Sequence, residues 1–326
     1  MGNDPVPSRR RGPLFIGGVQ RSGTHALAHL VAHHSQYAMI PRELVFHAAV
    51  GNGGLPDLIA DNISLKAFVE RMATFWWQRS VSWDPTVTRG LHKTIPEDRF
   101  RAALDRFANA YPVEGVDAAR TLMDDLLNPV AKEAGKAGWI EMSPTNILAA
   151  PLLYTLFPDM KLIHTVRDGR DVACSLVRLP WGGDTISECI KMWERTLRDA
   201  DPAMRQLPSD RVLVLQFEDL VANDRERSYS QVLDFLELED EPGMREFFET
   251  QITAEYGHLG RWRTELSLPG RLAATARYAR SLRRLAQARV SARPPMRALR
   301  ARPTVVEYHA GAERIDPWAD GRARGA

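Results

Sequence analysis

The sequence predicts an α/β fold in which a parallel sheet is flanked by helices. Short apolar runs alternate along the chain with longer amphipathic stretches, the pattern of buried parallel strands joined by crossover helices. At two places an apolar run leads through a turn of small and polar residues into the start of a helix. The chain has 326 residues, of which 44% are hydrophobic and 26% are charged, so it can bury a large core.

The first predicted strand and helix surround a turn of the kind that binds phosphate. Residues 14–19 form an apolar run, and residues 24–31 have helical spacing. Between them lies a P-loop-like turn from Gly18 to Gly23. A strand, a tight turn and a helix N-terminus together aim backbone N–H groups at an anion. Residues 1–12, which are polar and contain several Pro and Arg, are predicted to be a flexible N-terminal arm.

The rest of the chain continues the alternation of strands and helices. Residues 45–138 are predicted to be a largely helical insertion between two strands. Further strands are predicted at residues 37–40, 138–142, 161–166 and 211–217. Helices are predicted at residues 65–77, 99–110, 118–136, 145–157, 171–177, 187–200, 226–238 and 273–290. Because parallel strands end at the same edge of a sheet, the side chains that follow them are expected to meet there.

Charge and cysteine content argue against several classes of protein. The net charge of +2 argues against a general nucleic-acid binder. Cys174 and Cys189 form neither a metal-binding spacing nor a disulfide framework, so a reducing cytosol is the expected compartment. No apolar run approaches the ~20 residues of a membrane span. We therefore expect a cytoplasmic protein without a nucleic-acid partner.

The C-terminal part of the chain is strongly basic. Between Arg261 and Val306 only Glu265 is acidic, and the helix predicted at residues 273–290 carries five arginines. A solvated helix packed on the domain is one interpretation of this basic region, residues 261–302. The alternatives are contact with an anionic partner or peripheral contact with an anionic membrane surface.

The turn after the first strand differs from a nucleotide-triphosphatase loop in its charged residue. Such a loop has Lys and then Ser or Thr after its second glycine, whereas Thr24 and His25 follow Gly23 here. The positive charge comes instead from Arg21, inside the turn. A P-loop kinase or another nucleotide-binding protein stays an alternative, but the turn is poorly equipped for magnesium-assisted phosphoryl transfer.

A second stretch repeats the arrangement of strand, turn and helix. Arg167 stands at the end of the strand predicted at residues 161–166, and Ser175 follows eight residues later in an early helical turn. An arginine and a hydroxyl placed in this way can hold one phosphate from two sides. A capped surface turn with a network of Arg and Asp is the structural alternative. Together the two stretches indicate a nucleotide that is held at two places along its length.

The two stretches resemble those of the PAPS-dependent sulfotransferases, PAPS being 3′-phosphoadenosine 5′-phosphosulfate. The resemblance rests on Gln-Arg-Ser-Gly-Thr at 20–24 and Val-Arg-Asp-Gly-Arg-Asp-Val-x-x-Ser at 166–175. It is greatest for the branch that contains tyrosylprotein sulfotransferases and bacterial carbohydrate or lipid sulfotransferases. Because further similar stretches extend the resemblance over residues 13–319, one sulfotransferase domain is predicted, with a short tail at 320–326. The weaker similarities are Leu-Gln-Phe-Glu-Asp-Leu at 215–220, Gly-Arg-Trp-Arg at 260–263 and Ile-Asp-Pro-Trp-Ala at 315–319.

The resemblance implies a cosubstrate, a reaction and a set of binding residues. PAPS is expected to give its sulfuryl group to a hydroxyl of a small molecule, a carbohydrate or a lipid. No metal is expected, because arginines and backbone amides supply the positive field. The residues implied to bind PAPS are Arg21, Ser22, Gly23, Thr24 and His25 at the 5′-phosphosulfate, Arg167 and Ser175 at the 3′-phosphate, and Phe217, Arg261, Trp262 and Arg263 in the later segments.

Glu43 is the predicted catalytic base. It follows Arg21 by 22 residues, just after the strand predicted at 37–40, and the resemblance to the tyrosylprotein branch implies a general base at this spacing. Transfer to an alcohol needs a group within ~3 Å of the hydroxyl proton, and a carboxylate at a strand end can supply it. His25 and His47 are competing bases, and an ion pair with a loop arginine is the structural alternative. Arg21 is the second predicted catalytic residue, because it would stabilise the leaving phosphate.

One position departs from the family pattern. In Glu-Met-Ser-Pro at 141–144, Met142 stands where the family often has a lysine that neutralises the transferring group. Lys93 is a candidate to supply that charge, and Ser143 and Thr145 are candidates to orient the acceptor or the sulfuryl oxygens. The methionine also keeps open a binding protein of reduced activity for adenosine 3′,5′-bisphosphate (PAP).

The acceptor side of the site is predicted to lie in the helical insertion. Phe75, Trp76 and Trp77 end one predicted helix there, and Trp83 follows. Core packing is one interpretation of this aromatic cluster, and the wall of an acceptor pocket for a ring, a sugar or a lipid is the other. The sequence leaves the oligomeric state undetermined.

Overall fold

The structure is a computed structural model that describes residues 11–81 and 84–295. The strands are β1 (Leu14–Gly18), β2 (Tyr37–Met39), β3 (Arg79–Val81), β4 (Asp84–Arg89), β5 (Gly138–Glu141), β6 (Lys161–Val166) and β7 (Val212–Gln216). Five of them form one parallel sheet in the order β2-β5-β1-β6-β7, while β3 and β4 pair in an antiparallel hairpin. The predicted α/β class is confirmed, and the carboxyl ends of β1, β5 and β6 share one edge of the sheet.

Helices cover the sheet and fill the insertion between β2 and β5. The α-helices are α1 (Thr24–Ala32), α2 (Leu55–Ile59), α3 (Leu65–Arg71), α4 (Glu97–Glu114), α5 (Val116–Glu133), α6 (Ala150–Leu156), α7 (Gly169–Leu176), α8 (Ile186–Met204), α9 (Arg225–Leu236), α10 (Pro242–Thr250), α11 (Arg261–Glu265) and α12 (Leu268–Gln287). Short 3₁₀ or π segments are Phe46–Ala48, Met72–Trp76, Leu91–Lys93, Pro144–Ile147, Ser209–Arg211 and Asp219–Asn223.

The strand β1 lies in the middle of the sheet and is buried on both faces. Leu14 and Ile16 pack into the apolar layer that includes α1 and α9, whereas Phe15 packs with Trp139 and Phe157 on the other face. This division follows from the two-residue period of a strand. Burial of such a side chain stabilises a fold by roughly 1.5–3 kcal/mol. The turn that follows β1 is therefore anchored to a strand that is buried along its whole length.

The structure departs from the sequence prediction at three places. The hairpin of β3 and β4 lies inside the insertion that the sequence predicts to be largely helical. The helix predicted at residues 145–157 is two segments, Pro144–Ile147 and α6. Pro151, in the first turn of α6, has no N–H to continue the helical hydrogen bonds, so it favours a new helix start. α10 and α11 are helices that the sequence did not predict.

The helix α12 is docked on α8 through a buried carboxylate. Glu194 of α8 accepts hydrogen bonds from Arg277 Nη2 (3.1 Å) and Ser281 Oγ (2.7 Å) of α12. Arg277 is therefore a packing residue. The exposed arginines of α12 include Arg280, Arg283 and Arg284. Contact of this basic region with a membrane surface stays a prediction, and none of the described helices is both long and apolar enough to span a membrane.

The two ends of the chain lie partly outside the described residues. Arg11, at the end of the predicted flexible arm, donates its backbone N–H to the carbonyl of Ala137 (3.2 Å) and Nη1 to the carbonyl of Leu236 (2.9 Å). The described end of that arm is thus hydrogen-bonded to the domain, and the predicted boundary at residue 12 stays a prediction. Residues 1–10, Trp83 and the segment 296–326, which holds the predicted Asp-Pro-Trp similarity and the tail, are outside the described part.

Candidate active site

The turn between β1 and α1 has the backbone shape of a loop that surrounds an anion. Arg21 and Gly23 have positive φ angles of 70° and 94°, which is uncommon for a residue other than glycine. A Cβ atom at position 23 would lie 2.3 Å from the ring of Phe217, so only glycine fits there. Ser22 is buried, and its hydroxyl has no hydrogen-bond partner among the described residues. A buried hydroxyl without a partner is a candidate to bind a ligand.

The turn is hydrogen-bonded to the second predicted phosphate element. Arg21 Nε donates to Ser175 Oγ (2.8 Å), although 154 residues separate the two in sequence. Arg167 Nη1 donates to the carbonyl of Arg21 (3.1 Å), and its guanidinium lies 5.0 Å from the ring centre of Phe217. Arg167 is only 8% exposed. The structure therefore brings Arg21, Arg167, Ser175 and Phe217 together at the edge where β1 and β6 end.

A buried aspartate holds the segment before α11 against α7. Asp171 accepts hydrogen bonds from the backbone N–H groups of Gly260 (2.8 Å) and Trp262 (3.2 Å). Burial raises the pKa of Asp171 to about 6, although the charge of Arg167 opposes this shift. The hydrogen bonds fix the position of α11, which carries three of the predicted binding residues.

The side chains of α11 pack against a second arginine. Arg170 is 1% exposed, donates to both carboxylate oxygens of Asp168 (3.0 and 2.6 Å) and lies 4.0 Å from the ring centre of Trp262. Trp262 is therefore packed between Arg170 and Arg263, whose guanidinium is 4.4 Å away. Arg261 Nη2 lies 2.8 Å from Glu265 in the same helix. Stacking of the two guanidinium groups on the indole ring stabilises this layer.

Positive charges converge at one place beside the turn. Burial lowers the pKa of His258 below its usual value, and the charges of Arg261, Arg167 and Arg21 lower it further, in that order. Three guanidinium groups near one imidazole produce a field that attracts an anion. Within residues 11–81 and 84–295, no three His, Cys, Asp or Glu side chains form a cluster that could hold a metal ion.

The predicted base lies beside the first turn of α1. Glu43 Oε1 is 3.0 Å from His25 Nε2, and the two side chains are 35% and 43% exposed. The structural alternative for Glu43 was an ion pair with a loop arginine, and the partner is a histidine instead. A carboxylate and an imidazole in contact, both open to solvent, can accept a proton from a bound hydroxyl.

The competing base His47 does not face solvent. It is fully buried, and its Nε2 lies 2.8 Å from Asn146 Oδ1 and 3.1 Å from Glu141 Oε2. His47 is therefore closed off from solvent, and its role as a competing base stays a prediction. Ser143 is also fully buried, and its hydroxyl donates to Glu141 Oε1 (2.6 Å), so this hydroxyl is bonded inside the protein and does not face solvent. Sequence reasoning assigned no role to Glu141 or Asn146.

Comparison with known proteins identifies the family. The model of the sulfotransferase family matches residues 13–242. The chain belongs to the sulfotransferase family. It resembles the solved sulfotransferase domain of the Synechococcus PCC 7002 olefin synthase, with 19% identity, a TM-score of 0.51 and coverage of 86% of this chain and 97% of that chain. The solved sulfotransferase domain from the curacin biosynthetic pathway is 20% identical to this chain, with a TM-score of 0.47 and coverage of 77% of this chain and 83% of that chain. No curated protein sequence matches significantly.

The position at which the sequence predicts a departure from the family pattern is buried. Met142 is fully buried in the apolar layer that includes the α1 side chains. Lys93, the candidate replacement for the family lysine, is exposed in the segment Leu91–Lys93. The hydroxyl of Thr145 is buried without a hydrogen-bond partner among the described residues. Contact of Lys93 or Thr145 with the sulfuryl group stays a prediction.

The aromatic cluster of this sulfotransferase packs in the core of the insertion. Trp76 is buried and donates Nε1 to the carbonyl of Gly53 (3.1 Å), and Trp77 stacks on Phe100 with ring centres 4.5 Å apart. The core interpretation is therefore confirmed for Trp76, and Phe75 and Trp77 pack against the same core while partly exposed.

A different aromatic side chain stands beside the turn between β1 and α1. Trp181 is 38% exposed, donates Nε1 to Gln20 Oε1 (3.0 Å) and lies 5.1 Å below the guanidinium of Arg89. Sequence reasoning missed Trp181, and the only signal was its place before Gly182 and Gly183 in a loop. This contact joins the turn of the sulfotransferase to the hairpin of β3 and β4.

Proposed function

We propose that the protein transfers the sulfuryl group of PAPS to an acceptor hydroxyl and releases PAP. The observation that carries this proposal is the contact between two phosphate-binding elements. Arg21 in the first turn donates to Ser175 of the second element, and Arg167 of the second element donates back to the turn. Two anion sites that share hydrogen bonds suit a ligand with phosphate groups at both the 5′ and the 3′ end.

The residues around the turn fit the anionic end of PAPS. Gly23 has no room for a side chain, and Ser22 offers a buried hydroxyl without a partner in the described chain. The N-terminus of α1 adds backbone N–H groups. The groups that we propose for the 5′-phosphosulfate are Arg21, Ser22, Gly23, Thr24 and His25.

The second element and α11 complete the proposed donor site. We assign the 3′-phosphate to Arg167 and Ser175, since the hydroxyl of Ser175 already accepts a hydrogen bond from an arginine at this place. Phe217, Arg261, Trp262 and Arg263 are proposed to contact the rest of the nucleotide. The arginine charges that lower the pKa of His258 support an anionic ligand there.

The proposed reaction is a single displacement at sulfur. The acceptor oxygen attacks sulfur while the bond from sulfur to the bridging phosphate oxygen breaks. That oxygen leaves with the bonding electron pair as part of PAP, and the acceptor proton passes to Glu43. Arg21 stabilises the negative charge that develops on the leaving phosphate. His25, 3.0 Å from Glu43, holds the carboxylate at the start of α1.

The acceptor is proposed to be a hydroxyl of a small molecule, a carbohydrate or a lipid. Glu43 and His25 are both partly exposed, so a hydroxyl can approach them from solvent. A kinase would need Lys at position 24, where this chain has Thr. A PAP-binding protein of reduced activity would bind the nucleotide but transfer nothing.

Nucleotide titration tests the proposed donor. Isothermal titration with PAP should give saturable binding that magnesium does not change. ATP, which lacks the 3′-phosphate, should bind at least about tenfold more weakly, because a hydrogen bond to a charged group contributes about 1.5–3 kcal/mol. Magnesium-dependent ATP binding tighter than that of PAP would contradict the proposal and favour the kinase.

A further inference from the structure

A buried polar network lies directly behind the loop that carries Glu43. Its members are Glu141 at the end of β5, Ser143, Asn146 and His47, and all four are fully buried. A charged side chain without solvent is costly unless several partners compensate it. The number and the placement of the partners therefore indicate what the network holds in place.

The carboxylate of Glu141 is surrounded by donors. Its Oε1 accepts from Ser143 Oγ (2.6 Å) and from the backbone N–H of Leu44 (3.1 Å). Its Oε2 accepts from the backbone N–H of Ser143 (2.9 Å) and from Asn146 Nδ2 (2.8 Å), and lies 3.1 Å from His47 Nε2. Burial alone would raise the pKa of Glu141, but His47 and the hydrogen bonds of Ser143 outweigh it and lower the pKa to about 2.

The network ends on the two residues that follow the proposed base. The backbone N–H of Leu44 donates to Glu141, and that of Val45 donates to Ser143 Oγ (3.2 Å). Val45 has a φ of 65° and a ψ of −42°, and the N–H of Phe46 donates to the carbonyl of Leu44 (2.7 Å). This is a γ-turn with positive φ, a rare and strained form, at a β-branched residue. Such a conformation costs about 1–3 kcal/mol and persists only where the surroundings hold it.

The same network is attached to the strand that leads into the phosphate-binding turn. Asn146 Nδ2 also donates to the carbonyl of Ile16 in β1 (3.0 Å). One set of hydrogen bonds thus joins β1, the end of β5 and the loop of residues 43–48. Because β1 ends at the turn and the loop begins at Glu43, the network fixes the distance between them.

We propose that Glu141, Ser143, Asn146 and His47 are positioning residues that hold the Glu43 carboxylate at a fixed place relative to the phosphate-binding turn. They act through the backbone of Leu44 and Val45 and touch no reacting atom. The inference rests on the proposed role of Glu43 as the base. A displacement of about 1 Å at such a group can reduce a rate about 10²-fold, so rigid placement has a kinetic consequence.

The chain offers a matched pair of serines for the test. Ser143 donates to buried Glu141 (2.6 Å), and Ser281 donates to buried Glu194 (2.7 Å) far from the site, and both serines are fully buried. Ser143→Ala and Ser281→Ala should therefore lower Tm by similar amounts. Only Ser143→Ala should lower kcat for sulfuryl transfer from PAPS, by about tenfold, with the Kd for PAP unchanged. Ser143→Thr, which keeps the hydroxyl, should recover most of the activity.

A second measurement does not require turnover. The imidazole NMR signals of His25, assigned with a His25→Gln variant, report on the neighbouring Glu43 carboxylate. They should shift in Ser143→Ala and stay at the wild-type positions in Ser281→Ala. Unmoved His25 signals with equal kcat in the two alanine variants would overturn the positioning role, as would a loss of PAP affinity equal to the loss of kcat. If the wild-type protein transfers no sulfate, the proposed function fails, and the His25 signals still decide the positioning role.

Discussion

The proposed donor side of the site, around Arg21, Arg167 and Ser175, and the proposed base side, around Glu43 and His25, are supported by carboxylates whose pKa values move in opposite directions. Glu218 accepts the backbone N–H of Asp168 on the proposed donor side (2.8 Å). Loss of solvent raises the pKa of Asp171 to about 6 and that of Glu218 to about 7. On the base side, the pKa of Glu141 is lowered to about 2. Both the neighbouring charges and the hydrogen-bond donors differ: the Asp168 carboxylate raises the pKa of Asp171 and Glu218, whereas His47 lowers that of Glu141. Asp171 receives two backbone N–H groups, whereas Glu141 receives backbone N–H groups, a hydroxyl and an amide and lies beside an imidazole.

The two arrangements suit different tasks. The donor side keeps the charges of Arg21, Arg167 and Arg261 close enough together to lower the pKa of His258, so it retains positive charge for a ligand. On the proposed base side, the buried polar groups hydrogen-bond to one another, and Glu43 and His25 stay partly open to solvent. We infer that the first region binds by charge and the second acts by position. Substitutions in the first region should therefore change the Kd for PAP, and substitutions in the second should change kcat.

The largest effect is expected from the base. Glu43→Gln keeps the size of the side chain but removes its ability to accept a proton. Turnover should fall by about 10²-fold or more, since general base catalysis contributes about 10²–10⁴-fold. The protein should remain folded, and its Kd for PAP should stay within about twofold of the wild-type value in a titration. Near-normal turnover would remove Glu43 from the mechanism.

A smaller effect, on the Kd for PAP, is expected from a substitution on the proposed donor side. Arg167→Ala should weaken PAP binding by about 10- to 100-fold, because a hydrogen bond to a charged group contributes about 1.5–3 kcal/mol. The affinity for adenosine 5′-phosphosulfate, which lacks the 3′-phosphate, should fall much less in the same variant. Arg280→Ala, an exposed arginine of α12, should change neither affinity. Equal weakening of both nucleotides would place Arg167 outside the 3′-phosphate site.

The smallest effect is a pH dependence at His258. Its pKa is lowered by burial and by neighbouring arginines, and a bound phosphate would oppose those charges and raise it. Binding would then take up a proton, so PAP should bind more tightly as the pH falls from 7.5 toward 5.5. His258 has a positive φ of 47°, which Asn tolerates, so His258→Asn is a suitable comparison. In His258→Asn, the increase in PAP affinity between pH 7.5 and 5.5 should be a few-fold smaller than in the wild-type protein. Identical pH profiles of the two proteins would exclude proton uptake at His258.

The sequence predicted the sheet and the local elements of the site better than the contacts between them. The strand Lys161–Val166 has the predicted bounds, because a short run rich in apolar and β-branched residues ends at the polar turn Arg167-Asp168-Gly169. The turn at Gly23 and the strand end at Arg167 are local patterns as well. The hydrogen bond from Arg21 to Ser175 spans 154 residues, and that from Leu44 to Glu141 spans 97. Such pairs depend on the strand order, which residue spacing does not reveal.

Burial explains the remaining differences. His47, Ser143 and the tryptophans at 76 and 77 are residue types common both in sites and in cores, and only the packing separates the two. For Glu141 the sequence suggests the wrong environment, because a charged residue at a strand end is usually exposed. Its burial follows from the donors that gather around it, which come from the loop after β2 and the segment after β5.

The most direct measurement of the central claim is transfer of radiolabelled sulfate from PAPS by the purified protein to acceptors in a cell extract, run beside Glu43→Gln. We expect the wild-type protein to release PAP and to move label into an acceptor in equal amounts. The variant should bind PAP as tightly and transfer at least about 10²-fold more slowly. Label that stays in PAPS or appears only as free sulfate with the wild-type protein, despite tight PAP binding, would contradict sulfuryl transfer and favour the PAP-binding protein of reduced activity.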